Sequence, residues 1–230
     1  MKLPMSAVAL FAGLCTALAG TAAMAGEAGT SLVKVGAASV VYNNKSTELR
    51  GDLTPEGITA AAEDHTVASF TYDYFVTDNW SVQFAGGLPP TVTLKATGTA
   101  TELGQVGESK ALLPAVVGLY HLDFTDRLSG YLGAGLNFSR FTDSKIYESY
   151  ETAFGGESKG KIEDAVGGVF KVGASYALND NWMVDAAYSR YWITADAKVT
   201  TATPGVGDVT RSISVDVDPD IFSLSVGYKF

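Results

Sequence analysis

The last nine residues alternate without a break. Phe222, Leu224, Val226, Tyr228 and Phe230 take the even positions; Ser223, Ser225, Gly227 and Lys229 take the odd ones. A period of two sends successive side chains to opposite faces of a strand, so this segment has one apolar and one polar face. Two settings fit it. One is the closing strand of a membrane barrel, with Tyr228 and Phe230 at the lipid–water boundary and Lys229 in the lumen. The other is a half-buried last strand of a soluble β-sandwich.

The rest of the chain separates the two. The alternation recurs in eight segments: residues 31–42, 65–76, 80–96, 110–122, 128–141, 164–178, 182–199 and 211–230. Their connections are long, short, long, short, long, short, long. The short ones are Thr77-Asp78-Asn79, residues 123–127 and Asn179-Asp180-Asn181. An even number of strands with short turns at one end and long loops at the other is the pattern of an outer-membrane barrel; a sandwich has no reason to produce it. Hydrophobic residues make up 47% of the chain. Yet beyond residue 25 no apolar run approaches the roughly 20 residues a membrane helix needs. The expected fold is therefore all-β: an eight-stranded antiparallel transmembrane β-barrel with short periplasmic turns and long external loops, in the outer membrane of a Gram-negative bacterium. Asp78-Asn79-Trp80 and Asp180-Asn181-Trp182 combine turn chemistry with a boundary tryptophan. With Tyr74, Tyr120, Tyr176, Tyr228 and Phe230 they define an aromatic girdle at the periplasmic side.

Residues 1–25 read as a secretory signal, with Lys2, an apolar core over residues 7–19, and Ala23-Met24-Ala25 as the cleavage site. Residues 26–230 then form a single barrel domain of about 205 residues. The only cysteine, Cys15, lies in the signal, which excludes disulfides and thiol chemistry from the mature chain. Losing Lys2 moves the formal charge from −9 to −10, and an acidic chain without a Lys/Arg cluster is a poor binder of nucleic acid.

Several motifs carry a resemblance. They are Phe70-Thr71-Tyr72 before Thr77-Asp78-Asn79, Gly107 to Pro114 before Tyr120, and Tyr131-Leu132-Gly133-Ala134-Gly135-Leu136-Asn137. Asn179-Asp180-Asn181-Trp182, Asp218-Pro219 and the terminal Gly227-Tyr228-Lys229-Phe230 complete the set. On these the chain resembles the outer membrane protein W (OmpW) family over nearly the whole of residues 26–230. Asp220 departs from the pattern, standing where that family typically has tryptophan. The resemblance implies a narrow, partly hydrophobic barrel suited to passing small hydrophobic molecules, without catalysis or cofactor; some family members serve as bacteriocin receptors.

Parity locates the lumen. With Tyr120 and Tyr228 facing lipid, odd residues point inward. Asp73, Gln83, Lys171, Asp185 and Lys229, with His121 close by, then form a polar floor near the periplasm. Leu113, Val117, Leu119, Tyr191, Ile193, Val217 and Ile221 form an apolar pocket above it, where a small hydrophobic solute would bind. Small barrels also fill their interiors with apolar side chains for stability alone. Pro89, Pro90 and Pro114 lie on adjacent strands and lack the N–H a ladder needs, so they mark a seam for lateral exit into the membrane. Expected partners are outer-membrane lipid and lipopolysaccharide, the solute, and the barrel-assembly machinery through Phe230. No metal-ligand spacing and no GxSxG stretch is present. His65 reads as a solvated loop residue, separated from His121 by a strand crossing on the order of 30 Å of bilayer. A structural or receptor barrel, binding bacteriocin, phage or lipopolysaccharide through loops such as residues 148–163, is the alternative to a channel.

Overall fold

The computed structural model describes residues 26–230, so the expected signal segment lies outside the described residues. Its strands are β1 (Ser31–Val41), β2 (Lys45–Ser46), β3 (Ile58–Ala62), β4 (His65–Phe75), β5 (Trp80–Gly87), β6 (Thr91–Gly98), β7 (Gln105–Leu112) and β8 (Ala115–Asp123). There follow β9 (Leu128–Ile146), β10 (Ser158–Ile162), β11 (Ala165–Ala177), β12 (Trp182–Trp192), β13 (Thr194–Thr203), β14 (Gly207–Asp216) and β15 (Asp220–Lys229), with a short α-helix, α1 (Glu148–Phe154), between β9 and β10 and a 3-10 turn (Thr101–Leu103) between β6 and β7.

Eight strands close a barrel in the order β1, β4, β5, β8, β9, β11, β12, β15, every neighbour antiparallel and β15 returning to β1. The register Leu32↔Lys229 sets the faces. Even residues of β1 point inward, and odd residues do so in its neighbours. Phe70, Phe84, Val116, Leu132, Leu136, Phe170, Phe222 and Leu224 are exposed on the outer face, as a lipid-facing band requires. At the periplasmic rim Trp80 packs on Tyr120 and Trp182 on Tyr228, each at 5.0 Å between ring centroids. The Asn179 side chain caps its turn by accepting from the Asn181 and Trp182 N–H groups.

Four of the expected segments are broken rather than continuous. Residues 80–96 split into β5 and β6 at Pro89-Pro90, residues 110–122 into β7 and β8 at Pro114, residues 182–199 at Ile193, and residues 211–230 at Pro219. Proline supplies no ladder donor, and the adjacent carbonyls find other partners: Pro114 accepts from Phe138 N–H, and Pro219 from Tyr191 N–H. Inward parity nevertheless survives the Pro219 break, because Val209, Arg211 and Val215 are buried just as Ser225 is.

The long connections are built structure, not loops. β3, β6, β7 and the upper half of β9 extend one wall outward, and β10, β13, β14 and β2 form a second sheet beside it. Asn44 joins the two by mimicking a strand: its amide donates to the Ala62 C=O and accepts from the Ala62 N–H. Residues 148–163, expected to be a loop, contain α1. Its Tyr150 and Phe154, at i and i+4, share a buried face, and Gly155 ends it in the left-handed conformation (φ 83°).

Across the β9–β11 ladder Tyr131 lies flat over Gly173, where a Cβ would sit 2.4 Å from the phenol carbon and oxygen. Gly173→Val is expected to destabilise the barrel by about 1–3 kcal/mol through overpacking, measured as a lower urea midpoint for loss of the compact, heat-modifiable gel band.

Candidate functional site

From the periplasm outward the lumen is layered. Leu32, Phe75 and Met183 make the lowest layer. Directly above lies the floor, centred on Lys34. Its ammonium pairs with Asp73 at 3.2 Å and Asp185 at 3.4 Å, and it sits 4.7 Å from the centre of the Tyr131 ring. Tyr131 and Ser175 donate to Asp185, Gln83 donates to Asp73, and Lys171 donates to Gln83 Oε1 at 2.6 Å. His121 bonds Ser81 at 2.8 Å and packs against Phe75 and Tyr131. Two lysines and two aspartates, all nearly inaccessible, thus balance one another. Buried charge is tolerable only when paired in this way.

The structure therefore brings Asp73, Gln83, Lys171 and Asp185 together. Lys229 lies one inward step lower, at the level of Leu32, lining a small cavity at the periplasmic mouth with Asp123, Asp126 and Asp180. Sequence reasoning missed Lys34. Around it, Leu32-Val33-Lys34-Val35-Gly36-Ala37-Ala38 is small or apolar on both parities. The face of β1 is set by its register: Leu32↔Lys229 places even residues of β1 opposite odd residues of β15, and alternation within β1 does not fix that register.

Above the floor, Val117, Leu119, Tyr131, Val169 and Tyr191 pack into one apolar cluster. Val117 and Leu119 are 1% and 0% exposed and border neither of the two cavities beside and above them. Beside this cluster a mid cavity of about 100 Å³ is bordered by Leu113, Tyr191 and Ile221, with Lys171 and Asp185 at its base. An upper chamber of about 70 Å³ is bordered by Leu113, Ile193 and Val217. Ala111 and Leu113 border both. A lid of Leu49, Ile58, Tyr150 and Phe154 covers the upper chamber. Arg211, 1% exposed, fastens it: the guanidinium stacks 4.5 Å from the Phe154 ring centre and donates to Thr54, Thr201 and the Leu53 C=O. Burial pushes the Tyr150 hydroxyl above its ordinary pKa, with the nearby Arg211 charge pulling the other way.

The mid cavity reaches the barrel wall where the ladders stop. β4 and β5 pair up to Ser69↔Gly87, with one further bond from Leu88 N–H to Ala68 C=O. β5 and β8 pair only up to Ala85↔Ala115, and β6–β7 pairing starts at Thr91↔Lys110. In between, Ala111 N–H reaches Pro90 C=O at 3.0 Å. Gly86, Gly87, Leu88 and Pro90 border the cavity here, facing Val67 and His65. His65 is not a solvated loop residue. It packs at a tilt against Tyr42, 5.5 Å between ring centroids, and its Nε2 is buried at the cavity edge. Asp220 also has a defined role at the outer wall, accepting from Tyr188, Arg190 and Asn43.

A closed eight-stranded antiparallel barrel with an apolar outer band, an aromatic rim and a plugged lumen defines an outer-membrane β-barrel protein of a Gram-negative bacterium. Within that class the chain belongs to the OmpW family, whose profile matches residues 27–230. It is 31% identical over 216 residues to Outer membrane protein W of Vibrio cholerae serotype O1, covering 93% of this chain and 94% of that protein. It is 25% identical over 201 residues to the dibenzothiophene metabolism operon protein PahQ of Pseudomonas aeruginosa, covering 86% and 87%. The crystal structure of the outer membrane protein OprG from Pseudomonas aeruginosa shares the fold, with a TM-score of 0.81 at 23% identity over 90% of this chain and 99% of that one.

Asp185→Ala removes the shared acceptor of Lys34, Tyr131 and Ser175. It is expected to cost about 3–5 kcal/mol, the range for a buried ion left without its partner, seen as a lower urea midpoint of the purified barrel.

Proposed function

We propose that this protein is a channel for passive uptake of small hydrophobic molecules. The observation that supports this most is the apolar upper chamber and the adjoining mid cavity, which share Ala111 and Leu113, the second ending at a break in the barrel wall. Straight descent is blocked by the packed Val117–Leu119 layer and by the charged floor. A solute enters past the lid, rests in the upper chamber, passes Leu113 into the mid cavity and leaves sideways between β4 and the Leu88–Pro90 segment. Sideways release delivers an apolar molecule to the bilayer, which is its favourable environment, and avoids the floor. A relative named for dibenzothiophene metabolism fits an apolar cargo.

The test is uptake of a fluorescent hydrophobic probe by cells whose own homologue is deleted, with and without this protein. Leu113→Arg puts a charge between the two cavities and is expected to abolish the protein-dependent rate in a correctly folded barrel. Phe154→Ala, which opens the lid, is expected to raise that rate. Equal rates with and without the wild-type protein would remove the channel reading and move attention to the outer extension as a receptor surface for bacteriocin, phage or lipopolysaccharide.

A further inference from the structure

The mid cavity is two-faced. One side, from β5 and the residues around it, presents Ala85, Leu88, Pro90 and Leu113. The other side, from β12, β15 and β4, presents hydroxyls. Ser189 and Ser225, 6% and 9% exposed, border the cavity, and neither side chain hydrogen-bonds another described residue. Thr71 Oγ1 and His65 Nε2 border it as well, each buried and without a hydrogen-bond partner. The register spreads these groups along one wall: Ser225 and Ser69 flank Gly36, Thr71 is one inward step from Ser69, and Ser189 and His65 lie further out, opposite Ile221 and Val40. The upper chamber is different. Apart from Tyr42, its polar lining is Ser109, whose hydroxyl is already bonded to Thr142 and Ser144 on β9.

Buried hydroxyls in proteins are nearly always satisfied, and leaving them unpaired is destabilising. A site lined this way favours a ligand that brings a hydrogen-bonding group and disfavours its plain hydrocarbon analogue. We propose that the mid cavity is a selectivity site for molecules with an apolar body and a single neutral hydrogen-bonding end, such as phenols, alcohols or aldehydes, with the polar end on the Ser189–Ser225–Thr71 wall. The end group is neutral because the four buried charges of the floor, Lys34, Lys171, Asp73 and Asp185, already sum to zero, so an added carboxylate would be one charge in excess. This inference rests on the uptake reading above.

Naphthalene, 2-naphthol and 2-naphthoate share one ring system and differ at one position. Protein-dependent uptake of each is measured in homologue-deleted cells carrying the wild-type chain, Ser189→Ala/Ser225→Ala, or Thr71→Val, with folding checked by the heat-modifiable gel band. The expected result is that 2-naphthol enters about two- to tenfold faster than naphthalene, the range one or two net hydrogen bonds supply, and that both variants shrink this ratio while naphthalene uptake holds. Equal rates for naphthalene and 2-naphthol, or a ratio unchanged in the variants, would overturn the proposal and leave the channel reading standing. Fastest entry of 2-naphthoate would overturn the neutral assignment. No protein-dependent uptake of any of the three would remove both readings together.

Discussion

Inside lipid, no water is available to satisfy a backbone N–H or C=O, so the barrel wall must pair every strand with two neighbours. The closure of β15 on β1 and of β9 on β11 meets that demand. A gap in the wall is then a problem of orphaned donors. Pro89 and Pro90 resolve it where the β5 ladder ends. Neither has an N–H to leave unpaired, the preceding Leu88 N–H is used on Ala68, and the Pro90 carbonyl is used by Ala111. The prolines thus let the wall open while keeping the backbone satisfied.

The two ends of the lumen are closed by different physics. At the periplasmic end, paired ions and hydrogen bonds make a floor whose members cannot leave one by one without stranding a charge. At the outer end, aromatic stacking of Tyr150 on Phe154 under the Arg211 guanidinium makes a lid held by packing, cation–π contact and bonds to neutral oxygens. Contacts of the second kind are individually weaker and easier to displace. The asymmetry matches a path that opens outward and sideways rather than straight through.

Much of the barrel was legible in the sequence because alternation is a strong signal when one face meets lipid. Strand number, turn ends, aromatic rim and the inward parity of Asp73, Gln83, Lys171 and Asp185 all follow from it. The outer extension was legible only in part: residues 92–96, 110–112, 194–199 and 211–216 fall in expected segments, while β2, β3, β10 and α1 fall in expected loops. Its strands, such as Lys45–Ser46 and Ile58–Ala62, are short and rich in Thr, Ser and Ala, so neither face reads as a core and the stretch resembles a loop. Lys34 was hidden because β1 is small and apolar on both faces. Parity also cannot tell a filled interior from an open one. Val117 and Leu119 point inward but are packed, while Leu113, at the level of the strand breaks, borders open space. That difference depends on how far Tyr131, lying over Gly173, fills the lower lumen.

The strand breaks at Pro89-Pro90, Pro114, Ile193 and Pro219 encircle the molecule near one level, and the chain also leaves regular pairing at residues 42–44, 63–64 and 163–164. Among the described residues β9 alone runs unbroken from the periplasmic rim into the outer extension, 19 residues in all. It is a spine: its lower half pairs with β8 and β11, its upper half with β7. Everything above the ring of breaks is therefore a semi-independent turret carried on one mast. Its shape can be recut by insertion, deletion or substitution while the membrane-embedded half keeps its register, because among the described residues the ladders of the two halves share only β9.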